Sequence, residues 1–202
     1  MSDRFQNLTK IPDLPAARML ADANVRLKTP LDSPASAKPD VVLAELESKS
    51  AWIDMLMLLG VLLPGRERTW WACLAARDYI GPKSDADPLP LTVAEAWVFK
   101  PDDDHREPLR DAMQHTDADD DTVHCARAAL FAEGNLGPGE MREHVAPPGA
   151  AELSAFAMNV VALGKLSDKF EEHTQVLIDR ALDIARGGSG RVAPKPQAKE
   201  KK

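Results

Sequence analysis

The segment WIDMLMLLGVLL, residues 52–63, is the longest apolar run in the chain, and Asp54 lies inside it. A membrane-spanning helix needs ~20 apolar residues. This run of 12 is therefore read as a buried helix. Pro64-Gly65 stops it, and a second run, RERTWWACLAAR, follows at residues 66–77. That run is helical by pattern and apolar nearly all round, with charges at its edges. A helix of this kind is usually central, with neighbours on several sides. The two runs in succession set the expectation of a multi-helix core.

The rest of the chain agrees. Almost nothing alternates with period two and β-branched runs are scarce, so the signals are helical. A short helix is expected from near Leu14 to near Asn24. TPLDSPASAKP, residues 29–39, has three prolines and no core-forming set, and reads as a linker or an extended strap. Asp40 to Leu63 reads as one long helix or a kinked pair, and Gly65 to Ile80 as the double-tryptophan helix. Thr92-x-x-Glu95 has the form of a capping box, opening a short helix that contains Trp97 and ends at Pro101. Helices are expected over roughly 103–115 and 120–133, with Gly134-Asn135 as a stop. A long surface connection, GNLGPGEMREHVAPPG, leads to Ala150. Beyond it Leu153, Phe156, Ala157, Val160, Val161 and Gly164 fall on one helical face, the cleanest amphipathic stripe in the protein. Asp168-x-x-Glu171 resembles a second capping box, and the last helix runs to Arg186.

These elements define an all-α fold, a compact single-domain bundle of six to eight helices with a disordered C-terminal tail. Its 202 residues suit one domain with a real core. Residues 1–39 form a short helix and a Pro-rich strap, 40–186 the helical core, and 187–202 the tail. The tail has almost nothing to bury. Its five basic residues stand against Glu200 alone, a net +4, so residues 1–186 carry −11 of the overall −7. An acidic body argues against nucleic-acid binding as a whole, because phosphate recognition needs a basic face. The tail is the one place for such a contact. MSDRFQNLTKIPDLP has no apolar core of a signal peptide. Cys73 and Cys125 sit in different segments with no CxxC, which suits a reducing compartment. The expected location is the cytoplasm, with no membrane span.

Adjacent residues on a helix are ~100° apart, so Trp70 and Trp71 cannot share a face. With Trp70 at zero on a helical wheel, Tyr79, Ala72, Ala76, Thr69, Ile80 and Cys73 fill one small or apolar arc. That arc is the obvious core face. Trp70 lies opposite it, between Arg66 and Arg77. On one reading each indole fills an inter-helix groove and the arginines lie over Trp70 as cation–π cover. On the other, Arg66, Trp70 and Arg77 form a partner contact, since Trp and Arg dominate interface hot spots. Trp71, Cys73, Trp97 and Phe156 are assigned structural roles.

Catalytic and metal chemistries find little footing. Asp117, Asp119 and Asp121 fit the first positions of an EF-hand loop, but Thr122 stands where Gly is needed and Ala128 where the bidentate Glu should be. Capping is the better reading of those aspartates. His105, His115, His124 and Cys125 lack paired zinc-ligand spacing, and the histidines are expected on exposed polar faces. Gly187-Gly188-Ser189-Gly190-Arg191 is not GxSxG and follows no strand. No phosphate-binding glycine loop is present. No catalytic, metal or cofactor residue is assigned, and no cofactor is expected.

LLPGRERTWWACLAAR (residues 62–77) and ARAALFAEGNLGPGE (126–140) resemble a family of small uncharacterised bacterial proteins, a domain of unknown function (DUF 6931 type). The family pattern is a Pro-x-Arg-Glu-x-x-Trp-Trp-Ala core, an Ala-rich helix and a Gly-Gly-x-Leu-x-Pro turn. Glu133-Gly134-Asn135-Leu136-Gly137-Pro138 departs from that turn by one glycine. The resemblance covers roughly Asp40 to Arg186. It implies no known activity, and some members lie near type VI secretion genes. The functional expectation is a non-catalytic cytosolic interaction protein, an adaptor or accessory factor of a bacterial multi-protein system, with a protein partner. A small helical hydrolase with a His/Asp metal site, and an electrostatic tether acting through the tail, are the alternatives.

Overall fold

The computed structural model describes residues 3–191. The described residues form nine α-helices and no strand. They are α1 (Ala16–Asp22), α2 (Pro39–Ser48), α3 (Trp52–Leu62), α4 (Gly65–Ile80), α5 (Leu89–Phe99), α6 (Asp103–Gln114), α7 (Val123–Leu130), α8 (Ala150–Lys165) and α9 (Phe170–Ala185). Short 3₁₀ turns occur at Asp3–Phe5, Gly139–Glu143 and Ser167–Lys169. The all-α bundle is as expected, with one helix more than the expected upper bound. Among the described residues no helix is long and apolar enough to cross a membrane.

The expected kink between Asp40 and Leu63 is a full break. Ser50 takes φ +52°, and the amide of Ala51 turns back to Leu46 O at 2.9 Å. α3 then ends where Leu63 goes extended before Pro64. Arg68, one turn into α4, folds back over that end. Its Nε donates to Gly60 O at 2.6 Å and its Nη1 pairs with Glu152 at 2.8 Å. The guanidinium is buried and supplies donors to carbonyls that the end of a helix leaves free. Gly65 opens α4 against the turn that follows α7: a Cβ placed there would lie 2.5 Å from Ala132 O.

α4 is the central helix, packed against α5, α7, α8 and α9. Thr69, Trp71, Ala72, Cys73, Leu74, Ala75 and Ala76 are buried on it. The small residues continue on the neighbours, as Ala126, Ala128 and Ala129 of α7 and Ala151, Ala155 and Ala162 of α8. Small side chains let helix axes approach closely.

That close approach rotates α8 away from its expected face. The buried set is Ala151, Ser154, Ala155, Met158, Asn159, Ala162 and Leu163. Leu153 is 42% exposed and Val160 38%, while Phe156 and Ala157 are half-buried. The bulkier stripe thus lies on the outer shoulder, because the space beside α4 admits mostly small residues.

Neither capping box forms as expected. α5 begins at Leu89 behind Pro88, and Thr92 Oγ1 donates back to Pro88 O at 3.2 Å. Glu95 is buried and paired with Arg77. α9 begins at Phe170, after the 3₁₀ turn that contains Asp168, without a side-chain cap. The connection between α7 and α8 is pinned by Arg106, which is fully buried. Its Nε donates to Leu130 O at 2.9 Å and its Nη2 to Asn135 Oδ1 at 2.7 Å. The N-terminal segment packs on the bundle through Phe5, Ala16 and Leu20. Along the strap, the Asp54 carboxylate accepts the amides of Lys28 and Thr29.

The tail expectation divides. Residues 192–202 lie outside the described residues. Gly187 to Gly190, expected to be disordered, instead fold back on α9. Gly188 N donates to Asp183 O at 2.8 Å, Gly190 N to Asp183 Oδ2 at 2.8 Å, and Arg180 Nε to Gly190 O at 3.1 Å. Polar backbone groups, not apolar side chains, hold this segment, so a hydrophobic pattern carries no trace of it.

Candidate functional site

The two tryptophans of α4 have separate surroundings. Trp71 is fully buried, and its Nε1 donates to Leu177 O of α9 at 3.0 Å. Trp70 is half-buried, and its Nε1 donates to Ser189 O at 2.8 Å. The Phe99 ring at the end of α5 meets Trp70 edge-on, with centroids 5.7 Å apart and planes at 61°. Phe99 is itself 67% exposed. One turn before Trp70, exposed Arg66 donates through Nε to Val98 O at 2.7 Å. Among the described residues its other guanidinium nitrogens have no protein partner.

These groups line a cleft of about 230 Å³, together with Ile184, Gly187 and Gly188 of the α9 end and Lys10 of the N-terminal segment. Glu67 is its acidic lining residue, and Lys10 Nζ lies 3.3 Å from it. The cleft therefore has aromatic and aliphatic walls beside two cations and one carboxylate.

Arg77 is not part of this surface. It lies seven positions after Trp70, so it returns to nearly the same wheel angle but ~10 Å further along the axis. There Nε and Nη2 hold the two oxygens of Glu95 at 2.8 Å each, and Nη2 pairs with Asp87 at 2.7 Å. The Arg77 guanidinium holds the Asp87 carboxyl down at about 2. The expected cation–π cover over Trp70 is likewise absent: among the described residues the cation–π contacts are Arg4 on Phe5 and Lys165 on Tyr79.

Cys73 and Cys125 are both free and buried. The neighbouring Cys125 and burial together push the Cys73 thiol well above its ordinary value. Trp97 is buried, and among the described residues its Nε1 has no hydrogen-bond partner. Phe156 packs from the shoulder of α8 against the core.

The histidines are spread through the molecule, and not all are exposed. His115 is exposed, His105 and His124 are half-buried, and His173 is buried. His105 Nδ1 lies 2.6 Å from Asp102, the side chain that caps α6. His173 Nε2 lies 3.3 Å from Asp78, whose carboxylate is held by both terminal nitrogens of Arg180. Burial lowers the pKa of His173 and of His124. Of the EF-hand-like run, Asp120 accepts Thr122 N and Oγ1, and Asp121 pairs with Lys165. Among the described residues no group of three or more His, Cys, Asp or Glu is placed to hold a metal ion.

The sequence model of a family of unknown function (DUF6931) matches residues 42–185. The chain belongs to this family. No curated protein and no solved structure matches it. The DUF6931 region supplies Arg66, Trp70, Val98, Phe99 and Ile184 of the cleft. Lys10, Gly187 and Gly188 come from the flanks on either side of it. Reading the sequence missed Phe99, Lys10 and Ser189. Phe99 left one signal, an aromatic at the last turn of a helix whose core positions are already filled by Leu91, Ala94, Trp97 and Val98. Nothing in spacing links it to Trp70.

Proposed function

We propose that this chain is a non-catalytic protein-interaction module, an adaptor or accessory factor of a bacterial multi-protein system acting in the cytoplasm. The observation that carries this reading is the Trp70–Phe99 pair, an edge-on aromatic contact left open to solvent beside Arg66, whose guanidinium is bonded through Nε to Val98 O and, among the described residues, has no partner on its other nitrogens. Trp and Arg dominate the energetics of protein interfaces, and Phe is enriched there. Leaving Phe99 exposed gains the fold little, and covering it by a partner removes a large apolar surface from water. The metal-dependent alternative has less support: His and Asp meet in pairs, His105 with Asp102 and His173 with Asp78, and among the described residues no group of three or more is placed to hold a metal ion.

The test uses the tagged full chain as bait in a lysate of its own source, beside Phe99→Ala and Trp70→Ala. Phe99→Ala is expected to keep its stability within ~0.5 kcal/mol, as surface substitutions do, and to lose captured partners. Equal capture by Phe99→Ala and wild type overturns the reading.

A further inference from the structure

We infer that the cleft between α4 and the ends of α5 and α9 takes an acidic peptide segment of a partner protein. A carboxylate of that segment would sit on Arg66, and a neighbouring aromatic or large aliphatic side chain against Trp70 and Phe99. This rests on the interaction reading and adds the chemistry of the partner.

Size comes first. A cleft of about 230 Å³ is below the ~300–1,000 Å³ of sites that enclose a whole small molecule. It suits one inserted side chain, with the rest of the segment running over the surface. The walls set which side chain. Trp70 and Phe99 present two ring surfaces in edge-on geometry, and Val98 and Ile184 add aliphatic surface. A third ring extends such a cluster, and aromatic pairs gain beyond the area they bury.

Charge sets the flanks of the segment. Val98 O takes Nε of Arg66 at 2.7 Å and so orients the guanidinium at the cleft. The remaining N–H groups match a carboxylate, which accepts two parallel hydrogen bonds from an arginine. The carboxylate already in the cleft, Glu67, has its own cation in Lys10. Over residues 1–186 the chain is net −11, so an acidic segment is repelled by most of the surface and attracted here. That contrast selects both the partner and its register. The tail of this chain is the nearest rival occupant, because Ser189 already bonds Trp70. From Arg191 onward its sequence carries five basic residues against Glu200, the wrong sign for Arg66 and Lys10.

The test is a titration of the ¹⁵N-labelled full chain, read at the indole resonance of Trp70 and the Nε resonance of Arg66. The probes are three blocked pentapeptides: Glu-Glu-Phe-Glu-Glu, Lys-Lys-Phe-Lys-Lys and Glu-Glu-Ala-Glu-Glu. The acidic Phe peptide is expected to shift both resonances saturably, leaving the indole of buried Trp71 in place. Arg66→Gln and Phe99→Ala, both at exposed positions, should each weaken it by ~10-fold or more, the worth of a charge-assisted or aromatic contact. Raising salt from roughly 0.05 to 0.5 M should weaken it several-fold. The idea is overturned by no saturable shift, by equal binding of the Lys peptide, or by Arg66→Gln binding as wild type does. Loss of peptide binding with Phe99-dependent capture intact removes this partner chemistry alone. Peptide binding without Phe99-dependent capture removes the adaptor reading instead.

Discussion

Trp70 and Trp71 share a residue type and a helix, yet ~100° of rotation assigns them different work. Trp71 has no exposed surface and gives its indole N–H to Leu177 O. Trp71→Ala is therefore expected to cost ~3–5 kcal/mol, the range for a buried large aromatic. Trp70→Ala loses partly exposed surface and one hydrogen bond to Ser189 O, a bond worth ~0.5–1.5 kcal/mol net, so its cost should be clearly smaller. Urea denaturation of both variants decides, and equal, large losses contradict this division of roles. The burial of Cys73 was legible because a helical wheel reports rotation and places it on the small, apolar arc; Trp71 falls outside that arc and is buried all the same. The fate of Arg77 was not, because the wheel discards position along the axis, and Glu95 and Asp87 lie in other segments. Arg68 and Arg106 escaped for a related reason. Each is buried by bonding backbone carbonyls, of Gly60 and of Leu130, and carbonyls leave no mark in a sequence.

Helix boundaries set by Pro and Gly were readable, and helix faces were less so. α4 runs over Gly65–Ile80 as its pattern implies, but α8 turns its bulkier stripe outward. Its interior was filled by the alanines of α4 and α7, a fact about partners that α8 alone does not encode. Close packing makes Gly65 a sensitive position. Alanine is the better helix former by ~1 kcal/mol, yet its Cβ would meet the backbone of Ala132 at 2.5 Å. Gly65→Ala is thus expected to destabilise by ~1–3 kcal/mol, the cost of overpacking, and a stabilised variant would show that the start of α4 and the turn after α7 are further apart. The folded-back segment after α9 supplies a second element-scale test. Ending the chain after Arg186 removes the partners of Trp70 Nε1, Arg180 Nε and Asp183 Oδ2; ending it after Arg191 keeps them. The shorter form should melt several degrees lower, since ~1 kcal/mol shifts Tm by ~2–4 °C in a chain near this size. Equal melting temperatures would mean that the segment does not hold α4 and α9 in solution.

At the scale of the whole molecule, an acidic body keeps several charged groups inside and satisfies most of them by pairing. Arg180 spans Asp78 and Gly190, and Arg68 spans α3 and Glu152. Buried His173 and half-buried His124 are less well served. Burial holds the pKa of His173 below the usual histidine value of ~6.5, against the pull of Asp78 and Glu172 and with the help of Arg180. Burial does the same to His124, where Arg127 helps and Asp121 opposes. Both native side chains therefore bind fewer protons between pH 7 and 5 than the unfolded chain does. Stability rises with pH wherever the unfolded state holds more protons, so it must fall on acidification through this window. Glu45, held at about 2 by Lys49 and Ser33, and Asp87, held at about 2 by Arg77, act elsewhere. Their contribution is complete above the unfolded carboxylate values near ~4 and is lost only as pH falls toward 2. Urea denaturation at pH 7, 6 and 5 should show wild type losing stability at each step, with His173→Gln and His124→Gln each losing less. A wild-type stability that is flat or rising from pH 7 to 5 would mean that these two rings accept protons in the fold as readily as in the unfolded chain.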